Sequence, residues 1–308
     1  MDGVIGVRAP AECTASEVSA ISAGRRLVAG VILLLASWSL AWVGPSPYAW
    51  HTFFPLWLGY IMTVDALTLR RTGTSLLNRS PGRFVLLFAF SIPLWWLFER
   101  CNRRLGNWSY LLPDTYTPLA YGIEASIAFS TVMPAILVTA EFYRSFPFFA
   151  RPFHGIRLAP SRRMLVGIAS AGMAMFLFSL LAPRQGFPFV WIGLFFFIDP
   201  INALLGARSI SVQVAARRWD TVIVLFAAGL TCGFFWEMWN YWSMPKWLYH
   251  VPYVDGAKLF EMPILGYGGY LPFALEIYAA YHLLHHLIFR RLDSYLTFDN
   301  IGAVDRCP

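Results

Sequence analysis

Long apolar stretches separated by short polar connections dominate the pattern of hydrophobic and polar positions along this chain. Eight of these stretches are close to the ~20 residues that a helix needs to cross the hydrocarbon core of a bilayer. They lie at about 27–43, 48–69, 83–99, 120–141, 163–182, 188–206, 219–239 and 261–288. The pattern predicts an all-α polytopic membrane bundle of eight transmembrane helices.

Short motifs recur in the two halves of the chain and predict a tandem, parallel repeat of four helices plus four. The matching residues are Glu99 with Glu237, Asn102 with Asn240, Glu124 with Glu261, Asp65 with Asp199, and Trp108-x-Tyr110 with Trp247-x-Tyr249. Because four spans are an even number, both copies insert the same way up, related by a pseudo-twofold axis along the membrane normal. Matching residues should then face each other across that axis.

The repeat divides the chain into five predicted segments. Between the two halves, aromatic residues and arginines alternate, which is typical of a segment lying on the anionic headgroups of the inner leaflet. The segments are a flexible N-terminal tail at 1–24, a first four-helix repeat at 25–142, an interfacial cytoplasmic loop at 143–162, a second four-helix repeat at 163–290 and a C-terminal tail at 291–308.

Composition agrees with a membrane protein, since 57% of the residues are hydrophobic and only 13% are charged. The net charge of +7 does not indicate nucleic-acid binding. Most of the 24 bases fall in the tails and in alternate connections, and cytoplasmic loops of membrane proteins are enriched in arginine and lysine. We therefore expect a multi-pass protein of a bacterial-type inner (plasma) membrane, with both termini cytoplasmic.

Several acids lie within or at the rim of the predicted spans, where almost no base is available to pair with them. An ionised carboxylate in hydrocarbon costs at least ~2.5 kcal/mol, so these groups should line a polar cavity, pair with donors or keep a proton. The alternative is that they are helix caps and interhelical hydrogen bonds near the interface. As candidate catalytic residues at the outer end of the bundle we take Glu237, Glu99, Glu261 and Glu124.

Amides and aromatic rings surround these acids and are candidates for binding a substrate. Each asparagine follows its glutamate by three positions and shares its helix face. Aromatic rings could form a membrane-interface belt, or a wall that stabilises a cation through the ring quadrupole. The candidate substrate-binding residues are Asn240, Asn102, Trp236, Trp96, Trp239, Tyr241, Glu276, Asp65 and Asp199.

Two other polar features leave alternatives open. Asp65 and Asp199 form either a second polar, proton or ion site, or a buried hydrogen bond that closes the halves together. Proline after Asp199 predicts a kinked or broken sixth helix. A histidine cluster ends the last helix, and we interpret it as a cationic helix terminus rather than a metal site, so no metal and no cofactor is expected. The cluster comprises His282, His285 and His286.

One set of motifs resembles a known group of families. It comprises Glu99, Asn102, Gly106, Asn107, Trp108 and Tyr110, with the stretch Phe260-Glu261-Met262-Pro263 after the second Trp-rich loop. These residues resemble motifs of the small integral-membrane lycopene cyclases and the related carotenoid hydratases. The resemblance implies a tandem-repeat membrane enzyme that adds a proton to an isoprenoid double bond.

Three hypotheses follow. The leading one is an enzyme whose buried carboxyls, Glu237 or Glu99, protonate an alkene of an isoprenoid or carotenoid-like lipid, as a cyclase, hydratase or isomerase. The second is a proton- or ion-coupled transporter of small molecules, which would need a continuous polar path and a broken helix in the first half. The third is a structural or assembly subunit. The sequence leaves the protein partners unknown.

Overall fold

The computed structural model describes residues 10–114, 116–254 and 256–299, and these residues are mostly helical. Helices of the first half alternate between long and short elements. They are α1 (Pro10–Val43), a 3-10 turn (Tyr48–His51), α2 (Phe53–Thr72), α3 (Leu76–Arg79), α4 (Pro81–Leu105), α5 (Pro118–Phe129), α6 (Val132–Arg144) and α7 (Pro147–Ala150).

The second half has the same alternation and adds short strands. Its helices are α8 (Arg162–Leu181), α9 (Pro183–Gly186), α10 (Phe189–Leu205), α11 (Ile210–Ala215), α12 (Asp220–Tyr241), a 3-10 helix (Ile264–Gly269) and α13 (Tyr270–Phe289). Its strands are β2 (Lys246–Tyr249), β3 (Lys258–Leu259) and β4 (Met262–Pro263), and β2 pairs with β1 (Trp108–Leu111) of the first half.

Five helices are long and apolar enough to cross a membrane: Ile21–Val43, Pro81–Leu105, Pro118–Arg144, Arg162–Leu181 and Asp220–Tyr241. A shorter apolar helix, Phe189–Leu205, packs among them. The chain is therefore a membrane-embedded, mainly helical protein. Every one of the eight apolar stretches predicted from the sequence contains a helix.

Glycines let the first two long helices of each half approach closely. A Cβ on Gly59 would lie 2.5 Å from the backbone nitrogen of Leu34, and a Cβ on Gly193 would lie 2.7 Å from that of Phe176. Only a residue without a side chain fits such a contact, as is common where membrane helices cross. The α1–α2 and α8–α10 pairs thus share the same kind of contact.

The helix predicted at 120–141 is interrupted between α5 and α6. Pro134 has no N–H and cannot complete the helical bond to the preceding turn. The hydroxyl of Ser91 on α4 donates to the carbonyl of Phe129 and accepts from the backbone N–H of Met133 at 3.1 Å. Ser91 thus bridges the carbonyl of Phe129 and the N–H of Met133, which would bond to each other in a continuous helix, and it joins the interruption to α4.

Two helix predictions differ from the structure. Helix α10 continues through Pro200 from Phe189 to Leu205, so the predicted break there is absent. The last helix begins at Tyr270 and not near residue 261, because the β3–β4 hairpin and the 3-10 helix precede it. Glu261 accordingly lies in the hairpin turn and not at the start of a helix.

Each buried aspartate of the second and sixth predicted helices binds the short helix that follows it. Asp199 accepts hydrogen bonds from the backbone N–H of Ile210 at 2.6 Å and of Ser211 at 2.9 Å. Asp65 accepts one from the backbone N–H of Leu77 at 3.0 Å. These carboxylates therefore satisfy helix N-termini within their own halves and do not connect the halves.

Residues 292–299 pack against the ends of the helices that lie farthest from the β1–β2 pair. Asp299 lies 3.1 Å from Nη1 of Arg208 and 3.2 Å from Nε2 of His282, and Asp293 lies 3.4 Å from Nε2 of His285. Both aspartates are buried. Two of the three clustered histidines thus have carboxylate neighbours from the C-terminal segment.

Candidate functional site

The two Trp-x-Tyr motifs meet in the β1–β2 pair. Trp108 stands opposite Tyr249, and Tyr110 stands opposite Trp247, in an antiparallel register. In each of these two pairs, a tryptophan of one half therefore faces a tyrosine of the other half. This is the arrangement that a twofold axis through the strand pair produces.

An asparagine holds each strand in place. The side chain of Asn102 donates to the carbonyl of Trp108 at 2.8 Å and accepts from its N–H at 3.2 Å. Asn240 makes the same two contacts with Trp247, both at 2.8 Å. The Glu-x-x-Asn motif thus fixes the strand that supplies the adjacent tyrosine, and neither asparagine lies in the cavity wall described next.

A cavity of about 480 Å³ lies beside the strand pair. About half of the residues in its wall carry aromatic rings, and they come from both halves, including Trp95, Trp108, Trp191, Trp236, Trp247 and Phe273. The hydroxyl-bearing rings of Tyr110, Tyr249 and Tyr270 also line it. The volume is within the range of ~300–1,000 Å³ that is usual for small-molecule sites.

Glu237 lies behind this wall and is completely buried. Its Oε1 accepts hydrogen bonds from the hydroxyls of Tyr249 at 2.7 Å and Tyr270 at 2.5 Å. Its Oε2 has no hydrogen-bond partner in the part of the chain that the structure describes. Two tyrosines therefore connect one buried carboxyl to the cavity.

Glu99 occupies the corresponding place in the first half. Its Oε1 accepts from Nε1 of Trp95 and of Trp108, both at 3.1 Å, and from the hydroxyl of Tyr110 at 2.6 Å. All three donors line the cavity. The two matching glutamates thus flank the cavity from opposite halves, each through aromatic donors.

The strand tyrosines keep their protons over the physiological pH range. Burial raises the pKa of Tyr110 well above its usual value, and the charge of Glu99 raises it further. Burial and then Glu237 do the same to the pKa of Tyr249. Both hydroxyls are consequently hydrogen-bond donors whenever the glutamates accept.

The other two candidate catalytic acids differ from each other. Glu124 lines the cavity, and its Oε1 lies 3.0 Å from Nδ1 of His51, with both side chains partly exposed at the cavity mouth. Glu261 forms an ion pair with Lys246 and lies outside the cavity wall. The four acids are therefore not gathered into one cluster.

Of the candidate substrate-binding residues, Trp236 lines the cavity. Glu276 is fully buried one helical turn beyond Phe273, and within residues 10–299 as described neither of its carboxyl oxygens has a hydrogen-bond partner. The remaining candidates lie outside the cavity wall: Trp96, Trp239, Tyr241, Asp65 and Asp199.

Several residues of the cavity wall were not identified as site residues from the sequence. The tyrosines of the two Trp-x-Tyr motifs were visible as repeat markers, but their contact with the glutamates was not. Trp95, Trp191, Tyr270 and His51 carry no sequence signal that separates them from other interface aromatics. Among the described residues no group of three or more His, Cys, Asp or Glu is placed to hold a metal ion.

Fold and site together define a class: a membrane-embedded helical protein with an aromatic cavity and two buried carboxyls behind its wall. A scan against protein-family models finds no match, and comparisons with curated proteins and with solved structures find none either. The proposed function therefore rests on the geometry of the cavity.

Proposed function

We propose that this chain is an integral-membrane enzyme that protonates a double bond of an isoprenoid or carotenoid-like lipid. The observation that carries the proposal is the pair of tyrosine hydroxyls that join buried Glu237 to an aromatic cavity. Acid chemistry on an alkene needs a proton donor in apolar surroundings and a wall that tolerates a cation. The cavity combines both features.

The proposed architecture is eight spans in two four-helix repeats, with both termini on the cytoplasmic side of a bacterial-type inner membrane. Four equivalences support the repeat: the glycine contacts of the α1–α2 and α8–α10 pairs, the two asparagine contacts, the two aspartate contacts and the β1–β2 register. The interfacial loop at 143–162 is proposed to contact anionic lipids of the inner leaflet.

The substrate class follows from the cavity wall and size. Aromatic and aliphatic side chains together form most of the wall, so an apolar ligand gains from burial there at ~25 cal/mol per Å². A cavity of about 480 Å³ suits a drug-sized group. A long isoprenoid would therefore place one end in the cavity, and the reacting bond would be near that end.

Proton transfer would pass through a tyrosine, because Glu237 does not line the cavity. In the proposed step, Tyr249 or Tyr270 transfers its hydroxyl proton to an alkene carbon and forms a C–H bond. For this step Glu237 is protonated at Oε1, and one of the two hydrogen bonds is reversed so that the carboxyl O–H donates to that tyrosine oxygen. Glu237 transfers this proton to the tyrosine oxygen and becomes a carboxylate. The π bond is consumed, and a carbocation forms at the other alkene carbon.

The aromatic wall would stabilise this cation. Trp236 stacks on Tyr270 with ring centroids 5.9 Å apart, and both rings line the cavity. A cation over the face of an aromatic ring gains ~0.5–2 kcal/mol. Loss of a proton from a neighbouring carbon to the tyrosine oxygen, with the tyrosine's own proton returning to the Glu237 carboxylate, would complete an isomerisation or cyclisation. Capture of water, followed by return of one water proton along the same path, would complete a hydration.

The test is incubation in D₂O of membranes from isoprenoid-making cells that express the protein, with mass spectrometry of the extracted lipids. These lipids are made in ordinary water before the transfer, so an active protein would give a product with deuterium on carbon that is absent from membranes without the protein. Glu237→Gln should lower its yield by ~10²-fold or more, the lower range for general acid catalysis. Tyr249→Phe and Tyr270→Phe should lower it singly, and the double variant should match Glu237→Gln.

Tyr48→Phe is the matched control, because Tyr48 is exposed and lies outside the cavity wall. It should keep full yield. If no lipid gains deuterium in the presence of the wild-type protein, acid catalysis is rejected. Equal yields from wild type and Glu237→Gln would assign the reaction to a different acid.

The transporter hypothesis has one observation in its favour. The interruption between α5 and α6 is a broken helix in the first half, and transporters form ion and substrate sites at such breaks. Proton- or ion-driven uptake into liposomes tests it, with Ser91→Ala as the variant that loosens the break. Flux unaffected by Glu237→Gln but changed by Ser91→Ala would favour transport over catalysis.

A further inference from the structure

A groove on the outer surface of α4 combines apolar side chains with two arginines at one end. It is formed by Ile92, Pro93, Trp96, Leu97, Arg100 and Arg103. These positions recur at helical spacing and so share one face of the helix. Helix α4 is one of the five candidate membrane spans, and this face is turned away from the bundle, with Leu97 39% exposed.

The two arginines are available to a ligand. In residues 10–114, 116–254 and 256–299, neither Arg100 nor Arg103 makes an ion pair or a hydrogen bond, and both are exposed. Guanidinium groups bind phosphate oxygens through paired N–H donors. Two such groups at the end of an apolar face are complementary to a phosphate attached to a hydrocarbon chain.

The length of the groove matches one leaflet. From Ile92 to Arg103 the helix rises about 16 Å at ~1.5 Å per residue. Half of a hydrocarbon core of ~30 Å is about 15 Å. A phospholipid whose phosphate contacts the arginines would therefore lay an acyl chain along the apolar part of the groove without leaving its leaflet.

We propose that this groove binds one anionic membrane phospholipid. Arg100 and Arg103 hold the phosphate, and Leu97 and Ile92 contact an acyl chain. The back of the groove is Trp96, whose ring centroid lies 5.4 Å from that of Phe129 in the cavity wall. The groove and the aromatic cavity are thus separate sites with a shared wall, and the lipid site is independent of the chemistry proposed for the cavity.

Native mass spectrometry of the full chain, with added phosphatidylglycerol or phosphatidylcholine, tests the proposal. The wild type should retain one tightly bound phosphatidylglycerol and bind phosphatidylcholine more weakly. Arg100→Gln/Arg103→Gln should weaken phosphatidylglycerol binding about 30-fold, the factor expected from two basic side chains near an anionic lipid. Leu97→Asn, which places an uncharged polar side chain in the apolar part, should weaken binding of both lipids.

The control is Arg184→Gln/Lys258→Gln, which removes the same charge from two exposed positions outside the groove. It should leave phosphatidylglycerol binding unchanged, and thermal unfolding should show that all variants fold. Equal weakening by both double variants would mean general surface charge and overturn the proposal. Displacement of the lipid by millimolar inorganic phosphate would mean a simple anion site, which overturns it as well.

Discussion

Removal of the Asp199 carboxylate is the sharpest test of how the second half is held together. This side chain is 2% exposed and accepts three hydrogen bonds, from the backbone N–H groups of Ile210 and Ser211 and from the Ser211 hydroxyl at 2.6 Å. A hydrogen bond to a charged group contributes ~1.5–3 kcal/mol net. Contributions of neighbouring bonds are not additive. We therefore expect Asp199→Ala to lower the free energy of unfolding by about 3–5 kcal/mol.

Asp65 provides a matched comparison in the first half. It accepts two hydrogen bonds, from the backbone N–H of Leu77 at 3.0 Å and from the hydroxyl of Ser75 at 2.8 Å. Removal of the Asp65 carboxylate leaves two donors without an acceptor, one fewer than removal of the Asp199 carboxylate. Asp65→Ala should therefore cost about 2–3 kcal/mol, again from hydrogen bonds to a charged acceptor.

Denaturant unfolding in mixed micelles, followed by far-ultraviolet circular dichroism, measures both losses. Hydrogen exchange supplies a local measurement, because only amides that lose their acceptor should exchange faster. Ile210 and Ser211 should respond in Asp199→Ala, and Leu77 should respond in Asp65→Ala. If Asp199→Ala unfolds at the wild-type denaturant concentration and these amides exchange unchanged, the structural interpretation is refuted. The alternative interpretation of Asp199, as part of a proton or ion site, would then be favoured.

Three further predictions address the cavity and the helix contacts. Ser109 and Leu248 stand opposite each other in the β1–β2 pair. Ser109→Cys/Leu248→Cys should form an internal disulfide on mild oxidation, since paired residues in antiparallel strands have Cα atoms ~4.5–5.5 Å apart. Mass spectrometry that finds only free thiols would contradict the register. The contribution of Tyr110 and Tyr249 to stability should be constant up to about pH 10 and then fall, because their raised pKa makes the folded state hold protons that the unfolded state releases above its tyrosine pKa of ~10. The double Phe variant should therefore flatten the alkaline decline in the free energy of unfolding, and an unaltered decline would assign it to other groups. Gly193→Ala should destabilise the protein by ~1–3 kcal/mol in thermal or denaturant unfolding, because its Cβ would meet backbone atoms of α8; wild-type stability would show that the helices can separate at no cost.

Much of the fold was accessible from the sequence because membrane helices leave a local signal. Apolar length predicted a helix at each of eight stretches, and the structure has one at each. The signal failed where local rules were overridden by neighbours. Pro200 did not break α10. The stretch 120–141 was predicted as one helix, yet it is interrupted before Pro134, and Ser91 of α4 bonds to the backbone there.

The matched motifs pointed to two acids beside the cavity, and their catalytic role stays a prediction. Glu99 and Glu237 were singled out from their spacing to asparagine, and the structure places both behind one cavity. Their roles could not be read from that spacing. Tyr270 lies far along the chain from Glu237 and joins it only because α13 packs beside α12.

The sequence by itself determined that this chain is a helical membrane protein with recurring acids and aromatics, because composition and periodicity are local properties. Tertiary structure alone decided which aromatic ring faces the cavity. Trp95 and Trp96 are neighbours in sequence, yet Trp95 lines the cavity and Trp96 lines the groove on the outer surface of α4. Successive helix positions differ by about 100° in direction, and only the packing of α4 against its neighbours fixes where each one points.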